Sequence, residues 1–316
     1  MKEQTRKKLE YSIDLLRRSE AMALRFNPEQ GFSLAFSGGK DSQALYHVAQ
    51  MAGVRFHAFF SPTSVDPPQL IRFIRTQYPE VEFTKLRTNI YEMAKKKKIL
   101  PTMLRRWCCA EFKERHGAGT CTLIGIRREE SSRRAKRNEV EVSSRKFSEN
   151  FDQFSEHQEK MITCVGGKDK ILISPILTWT EEDVWDFLNS QGIPHCELYD
   201  RGYKRIGCIM CPMSSFKQKL REMREYPHVL RKWLETIEWL NDNVWKYNEK
   251  IEDITTKQRL HWWISGLSLE EFRQQHLAPS LFSNQELGED EIDKIIKAAY
   301  EGNKAHHNHS PGSVAD

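Results

Sequence analysis

The six residues Ser37-Gly38-Gly39-Lys40-Asp41-Ser42 stand between an apolar run, Gly31 to Phe36, and a segment of helical period through Leu45, Val48 and Met51. A buried strand that turns on two glycines directly into a helix constrains this chain more than any average property does. The glycines reach backbone angles closed to other residues and let the main chain approach an anion closely. Amides at the start of the helix then point at a phosphate, aided by the helix dipole. Ser37 and Ser42 can add hydroxyl donors and Lys40 a positive charge, whereas Asp41 is unsuited to phosphate and reads as a Mg²⁺-linked residue. The spacing is not that of the Walker loop, which has four residues between its first glycine and Gly-Lys.

Around this loop, strand-like and helix-like segments alternate. Residues 1–27 have an amphipathic helical pattern through Leu9, Ile13, Leu16 and Leu24. Val54 to Phe60 reads as a second strand. Asp66-Pro67-Pro68 opens a helix with Leu70, Ile71 and Ile74 inward, and Val81 to Leu86 is a third strand. Cys121 to Ile126 and Ile171 to Ile173 are two more, and Thr180 caps a helix over Glu181 to Asn189. Alternation with short links predicts a doubly wound, mostly parallel α/β sheet. The stretch 127–160, poor in apolar residues, reads as an excursion that could form a lid. From 215 to 302 the pattern is helical, with Trp233, Trp239 and Trp245 as expected core anchors. Residues 303–316, including His306, His307 and His309, read as a disordered tail. The organisation expected is thus a nucleotide-binding domain over 1–214 that includes a four-cysteine site, a helical extension over 215–302, and the tail.

Charge is informative by position rather than by total. The net charge of +5 is too small to imply nucleic acid. Basic residues nevertheless cluster at Lys95 to Lys98, at Arg105-Arg106, and at Arg127, Arg128, Arg133, Arg134, Lys136 and Arg137. These patches leave a nucleic-acid partner open. No apolar run reaches the roughly 18 residues of a membrane span, so no membrane partner is expected. Met1 to Arg18 is charged and lacks the apolar core of a secretion signal, which makes the cytoplasm the expected compartment.

Seven cysteines in a reducing compartment point to metal or redox chemistry rather than disulfides. Cys108 and Cys109 are adjacent, and Cys208 and Cys211 form a Cys-x-x-Cys pair. Four thiolates suffice for a tetrahedral zinc or a four-iron cluster, and free thiols are the third reading. Cys121 falls in a strand and is expected in the core. Cys164 and Cys196 fall in loops, where an exposed thiol is expected and a reactive one is the alternative.

The hexapeptide resembles the signature of the PP-loop ATP pyrophosphatase superfamily, whose fold is adenine nucleotide alpha hydrolase-like. The likeness to its phosphoadenylyl-sulfate (PAPS) and adenylyl-sulfate reductases extends through further motifs. Gly125, Arg127, Ser131 and Arg134 match an arginine motif; Pro175, Trp179, Val184 and Trp185 match the following helix; Gly202, Tyr203, Ile206, Gly207 and Cys208 lead into the second cysteine pair. The resemblance covers about residues 30–212. It implies an adenine nucleotide at Ser37–Ser42 and Gly125, with Arg127 and Arg134 reaching its second anionic end through bidentate guanidinium contacts. It also implies a [4Fe-4S] cluster on Cys108, Cys109, Cys208 and Cys211.

In one respect the chain departs from that family. The reductases use a cysteine in a C-terminal Glu-Cys-Gly-like motif, which takes the sulfonate and is then freed of sulfite by a second thiol. Here no cysteine follows Cys211, and Gly302 to Asp316 contains nothing similar. The weak candidate for the missing nucleophile is Cys164, or a thiol or persulfide supplied by a partner protein. The function expected is sulfonucleotide reduction. The alternatives are ATP- and Mg²⁺-dependent adenylation followed by sulfur transfer to a nucleic acid, as in DNA phosphorothioation or tRNA thiolation, and a non-catalytic nucleotide or redox sensor.

Overall fold

In the computed structural model, residues 1–114, 116–142, 170–247, 254–277 and 286–307 are described. They form two compact units, one of the described residues within 1–62, 66–86 and 110–207, the other of those within 63–65, 87–109 and 208–307.

The first unit is built on a six-stranded sheet of order β3-β2-β1-β4-β6-β5. Its strands are β1 (Phe32–Ala35), β2 (Phe56–Phe60), β3 (Glu82–Phe83), β4 (Cys121–Leu123), β5 (Val140–Val142) and β6 (Ile171–Ile173). All pairs are parallel except β5 with β6, which is antiparallel. The mostly parallel α/β sheet is therefore as the sequence predicts. The edge strand β5 was not foreseen, because three residues in a polar stretch carry too little alternation to stand out. Of the excursion expected over 127–160, residues 143–160 lie outside the described residues.

Alternate residues of the strands enter one core. Phe32 and Leu34 of β1, Ala58 and Phe60 of β2, Cys121 and Leu123 of β4, and Ile171 and Ile173 of β6 pack with Leu9, Leu16 and Ala23 of α1 (Glu3–Phe26). Ala44, Leu45 and Val48 of α2 (Lys40–Ala52) join them, with Val184, Phe187 and Leu188 of α7 (Glu181–Ser190). The other face of the central strands carries Ser33 and Thr122, side by side in register and buried all the same. Met51, read as part of the apolar stripe of α2, is instead 39% exposed at the helix end. Cys121 is fully buried as expected, and burial pushes its thiol up to about 12. Cys196 is a correction: it is fully buried in the same core, not an exposed loop thiol, because Ile193 and Leu198 carry its loop inward.

A single buried carboxylate ties α1 to α7. Asp183 Oδ2 accepts from Thr180 N (2.7 Å), Thr180 Oγ1 (2.8 Å) and Lys8 Nζ (2.5 Å), and Oδ1 accepts from Thr5 Oγ1 (3.2 Å). Thr180 in return accepts from Asp183 N, completing the capping box that starts α7.

The second unit is helical. It comprises α4 (Ile90–Lys97), the part of α5 (Trp107–Phe112) up to Cys109, α8 (Phe216–Glu225), α9 (Pro227–Asn243), α10 (Thr256–Ser265), α11 (Leu269–Phe272) and α12 (Glu286–His307). Of the three expected tryptophan anchors, Trp233 and Trp245 are buried but Trp239 is 37% exposed. Trp263 takes its place, its ring 4.6 Å from that of Trp233 and its indole N–H donating to Pro101 O at 2.6 Å. The chain end is also corrected: α12 continues to His307 rather than ending near 302, and only 308–316 lie outside the described residues.

Burial alone would raise the Asp183 carboxyl, but hydrogen bonds from Lys8 and Thr180 outweigh it and hold the group below its ordinary 3.8. A carboxylate with a depressed folded-state value stabilises the fold fully above 3.8 and loses that contribution as pH falls through the lower folded value. Urea unfolding followed from neutral pH to about pH 3 should therefore show stability falling on the acid side. The fall should be shallower in Asp183→Asn, which starts about 2 kcal/mol less stable at neutral pH.

Candidate functional site

The strand order places a topological switch between β1 and β4, because the chain leaves β1 toward β2 and later returns to β1's other side with β4. Ligands of open α/β sheets bind in the crevice outside the carboxyl ends of the strands at such a point. Two loops flank it here, Ser37–Gly39 after β1 and Ile124–Arg127 after β4.

The first loop is held by its own serines. Ser42 Oγ accepts from Ser37 N (3.2 Å) and lies 3.1 Å from Ser37 Oγ, while its proton goes to Gly39 O at 2.8 Å. The hydroxyls expected to face a ligand thus brace the turn. Gly38 has φ +71°, and a Cβ there would lie 2.6 Å from Leu70 Cδ1, so both torsion and space require glycine. Gly38 and Gly39 are buried. Among the described residues no hydrogen bond takes up their N–H groups. Buried amides of this kind call for a partner, and two at the start of a helix of 13 residues favour an anion.

The second loop comes into direct contact with the first. A Cβ on Gly125 would lie 2.9 Å from the Asp41 carbonyl oxygen and 3.2 Å from Ser42 N. Gly125 is therefore a packing requirement between the two loops. Arg127, 3% exposed, places Nε 2.6 Å from Asp41 Oδ1 and Nη1 2.9 Å from Glu129 Oε2. Lys40, also buried, has Nζ 3.2 Å from Asp41 Oδ2 and 3.6 Å from Glu181 Oε1. Both Asp41 oxygens are thus engaged by cations, and a magnesium ion there would compete with them. Arg134 is ion-paired with Glu130.

Three participants escaped the sequence reading: Glu129, Glu181 and Tyr199. The Tyr199 hydroxyl accepts from Lys40 N at 2.8 Å and would sit 3.4 Å from a Cβ on Gly39. Its ring packs edge-on against Trp185, with centroids 5.0 Å apart. Burial, then the nearby Asp41 and Glu181 charges, push its phenol well above the ordinary range, so it stays protonated.

The four paired cysteines lie together in the second unit. The Cys108 thiol is pushed up by its hydrogen bond with Cys109, by burial, and by the charges of Cys109, Cys208 and Cys211. Thr63 Oγ1 donates to Cys208 Sγ and Arg106 Nη2 to Cys109 Sγ, each at 3.5 Å. The Cys-x-x-Cys turn is shaped by Glu222, whose Oε2 accepts from Met210 N at 2.6 Å and so holds Met210 at φ +57°. A soft donor set with N–H and O–H donors to its sulfurs fits a thiophilic metal or cluster. Among the described residues, however, no three Cys, His, Asp or Glu side chains converge closely enough to hold an ion as they stand. Cys164 lies outside the described residues.

The model of the phosphoadenosine phosphosulfate reductase domain matches residues 31–214, more than half of the chain. The chain belongs to this family. Two uncharacterized proteins of Methanocaldococcus jannaschii are 28% identical over 214 residues and 25% identical over 241 residues. These matches cover 67% and 69% of this chain but 48% and 46% of those proteins, so the chain spans less than half the length of these two relatives. An adenosine 5'-phosphosulfate reductase of Staphylococcus epidermidis is 41% identical over 46 residues, 15% of this chain and 19% of that one. Among solved structures, a phosphoadenylyl-sulfate reductase from Candida auris aligns with TM-score 0.39 and 18% identity, covering 62% of this chain and 93% of that one. The FMN adenylyltransferase of Candida glabrata aligns with TM-score 0.41 and 17% identity, covering 66% and 62%. No helix among the described residues is long and apolar enough to cross a membrane.

The close approach at Gly125 is testable by itself. Gly125→Ala should lower the unfolding free energy by about 1–3 kcal/mol, because the added methyl meets backbone that cannot swing away. Gly119→Ala serves as the control for handling, since nothing lies within 4 Å of its Cβ position, although its φ of +73° adds its own strain.

Proposed function

We propose that residues 31–214 bind a sulfonucleotide, adenylyl sulfate or its 3′-phosphorylated form, and support its reduction to sulfite. The observation that carries this reading is the pair of Gly38 and Gly39 amides at the switch point, buried and without hydrogen-bond partners among the described residues, with Lys40 following them at the start of α2. Family membership supports the nucleotide class. The engagement of both Asp41 oxygens by Arg127 and Lys40 supports a substrate that needs no magnesium over ATP.

In this reading a thiolate attacks the sulfur of the substrate's sulfate group, the S–O bond to the nucleotide phosphate breaks, and the nucleotide leaves with both electrons of that bond. A second thiol then attacks the S-sulfonate, forming a disulfide and releasing sulfite. Cys164 or a partner protein supplies the first thiol, and a dithiol or thiol donor the second. Arg127, through Asp41, holds the loop in shape, and Gly125 allows the contact. Cys108, Cys109, Cys208 and Cys211 would hold the [4Fe-4S] cluster or zinc, which when bound would link the Trp107–Cys109 turn to the Cys208–Cys211 turn.

Calorimetric titration of anaerobically purified protein with adenylyl sulfate, phosphoadenylyl sulfate and Mg-ATP tests the reading. The expected outcome is preferential binding of a sulfonucleotide. Preference for Mg-ATP overturns it in favour of adenylation. Lys40→Met, which keeps the buried stem and removes the charge, should weaken binding of the preferred nucleotide by about tenfold or more, with little change in melting temperature. The four-cysteine assignment is checked separately by elemental analysis. Cys208→Ser should lose bound iron or zinc per chain and melt earlier, and undiminished metal would remove Cys208 from the ligand set.

A further inference from the structure

Tyr199 occupies an unusual position for a neutral side chain. It reaches the first turn of α2, where its oxygen accepts the Lys40 N–H at 2.8 Å. That amide is one of the donors a bound anion would otherwise use. A tyrosine there competes with the ligand unless it returns a donor in place of the one it takes.

The hydroxyl has one proton and two lone pairs. With one lone pair on Lys40 N, the proton must point elsewhere, and no acceptor among the described residues receives it. The surroundings fix where the oxygen sits. The ring is clamped edge-on by Trp185 and His195, with centroids 5.0 and 6.1 Å away. A Cβ on Gly39 would come within 3.4 Å of the oxygen, so the phenol lies directly against the glycine turn whose amides lack partners. The three donors, Gly38 N–H, Gly39 N–H and Tyr199 O–H, therefore border the same turn.

We infer that Tyr199 is a substrate-binding residue that relays the α2 amide: it accepts from Lys40 N–H and donates its own proton to an oxygen of the bound phosphate or sulfate. This rests on the reading that Ser37–Ser42 holds the anionic end of the substrate. Polarised by the amide, the O–H is a stronger donor than a free phenol. The arrangement also extends the anion site beyond the reach of the main chain, to the side on which α7 and the Cys196–Tyr199 turn lie. It assigns a ligand-facing role to the segment preceding Gly202-Tyr203.

The test compares wild type with Tyr199→Phe, using calorimetry with adenylyl sulfate, phosphoadenylyl sulfate and Mg-ATP, and circular-dichroism melting of the ligand-free proteins. A hydrogen bond to a charged group predicts a Kd for the preferred nucleotide raised roughly ten- to hundredfold in the variant. The ligand-free melting temperature should change little. An unchanged Kd overturns the inference, including the case in which only the melting temperature falls, which is what loss of the Lys40 partner alone would give. If wild type binds no adenine nucleotide, the sulfonucleotide reading has failed on its own account. The two proteins are then titrated with inorganic phosphate and sulfate. Weaker anion binding by the variant sustains the donor role, and equal or absent binding overturns it.

Discussion

The Asp41 carboxylate lies between two buried cations, and the geometry of the site depends on it. Arg127 and Lys40 are each almost fully enclosed, and a cation in that setting is tolerated only when paired. From Asp41 the pairing runs in a closed circuit: Asp41 to Arg127, Arg127 to Glu129, Glu129 to the Glu181 amide at 2.8 Å, and Glu181 back to Lys40. The residues come from the first turn of α2, the segment Arg127–Glu129 after β4 and the first turn of α7. Three segments far apart in sequence are therefore fixed together at the carboxyl ends of the strands. The contact at Gly125 lets the circuit close, since any side chain there would push the Asp41 backbone away.

Much of this was legible in the sequence. The strand–loop–helix context of Ser37–Ser42 and the alternation of elements carried the fold class, and the pairing of Gly125 with Arg127 in one motif marked two segments that meet at the candidate site. These are local signals, set by glycine's backbone freedom and by the period of apolar residues. What the residues do at the site was less legible. Ser37 and Ser42 read as ligand donors and turn out to brace the loop. Arg127 read as an anion clamp and is committed to Asp41 and Glu129. Sequence pattern can mark a polar residue as special, but whether it faces a ligand or a neighbouring side chain depends on partners such as Glu129 and Glu181 that no motif spacing reveals.

Tyr199 illustrates the limit most clearly. It meets Lys40 across 159 positions, and nothing about a tyrosine in a turn predicts that its oxygen caps a distant helix. Cys196 and Trp239 fail for a related reason. Side chains in loops and on long helices are sorted into core or surface by tertiary packing, and a single cysteine or tryptophan carries no period of its own. The Cys108-Cys109 and Cys208-x-x-Cys211 pairs stand out in the sequence because spacing itself is their signal. The residues around them, Thr63, Arg106 and Glu222, do not, since each contributes one hydrogen bond from a different stretch of chain.

The charge circuit also bears on how an anion can enter. Lys40 is already shared between the Asp41 and Glu181 carboxylates, and among the described residues the donors without partners at this turn are the Gly38 and Gly39 amides and the Tyr199 hydroxyl. Of the links in the circuit, Lys40 to Glu181 is the longest at 3.6 Å, and the Glu181 carboxylate is 51% exposed. At that separation, and with the carboxylate half in solvent, this is a weaker contact than the 2.6 Å pair of Arg127 with Asp41 and the one more open to screening by salt. Exchange of Glu181 for a bound phosphate or sulfate would therefore take away the weakest contact and leave Asp41, Arg127 and Glu129 in place. The loop can gain a charge-assisted contact without losing the pair that shapes it, which separates the group that binds from the groups that position.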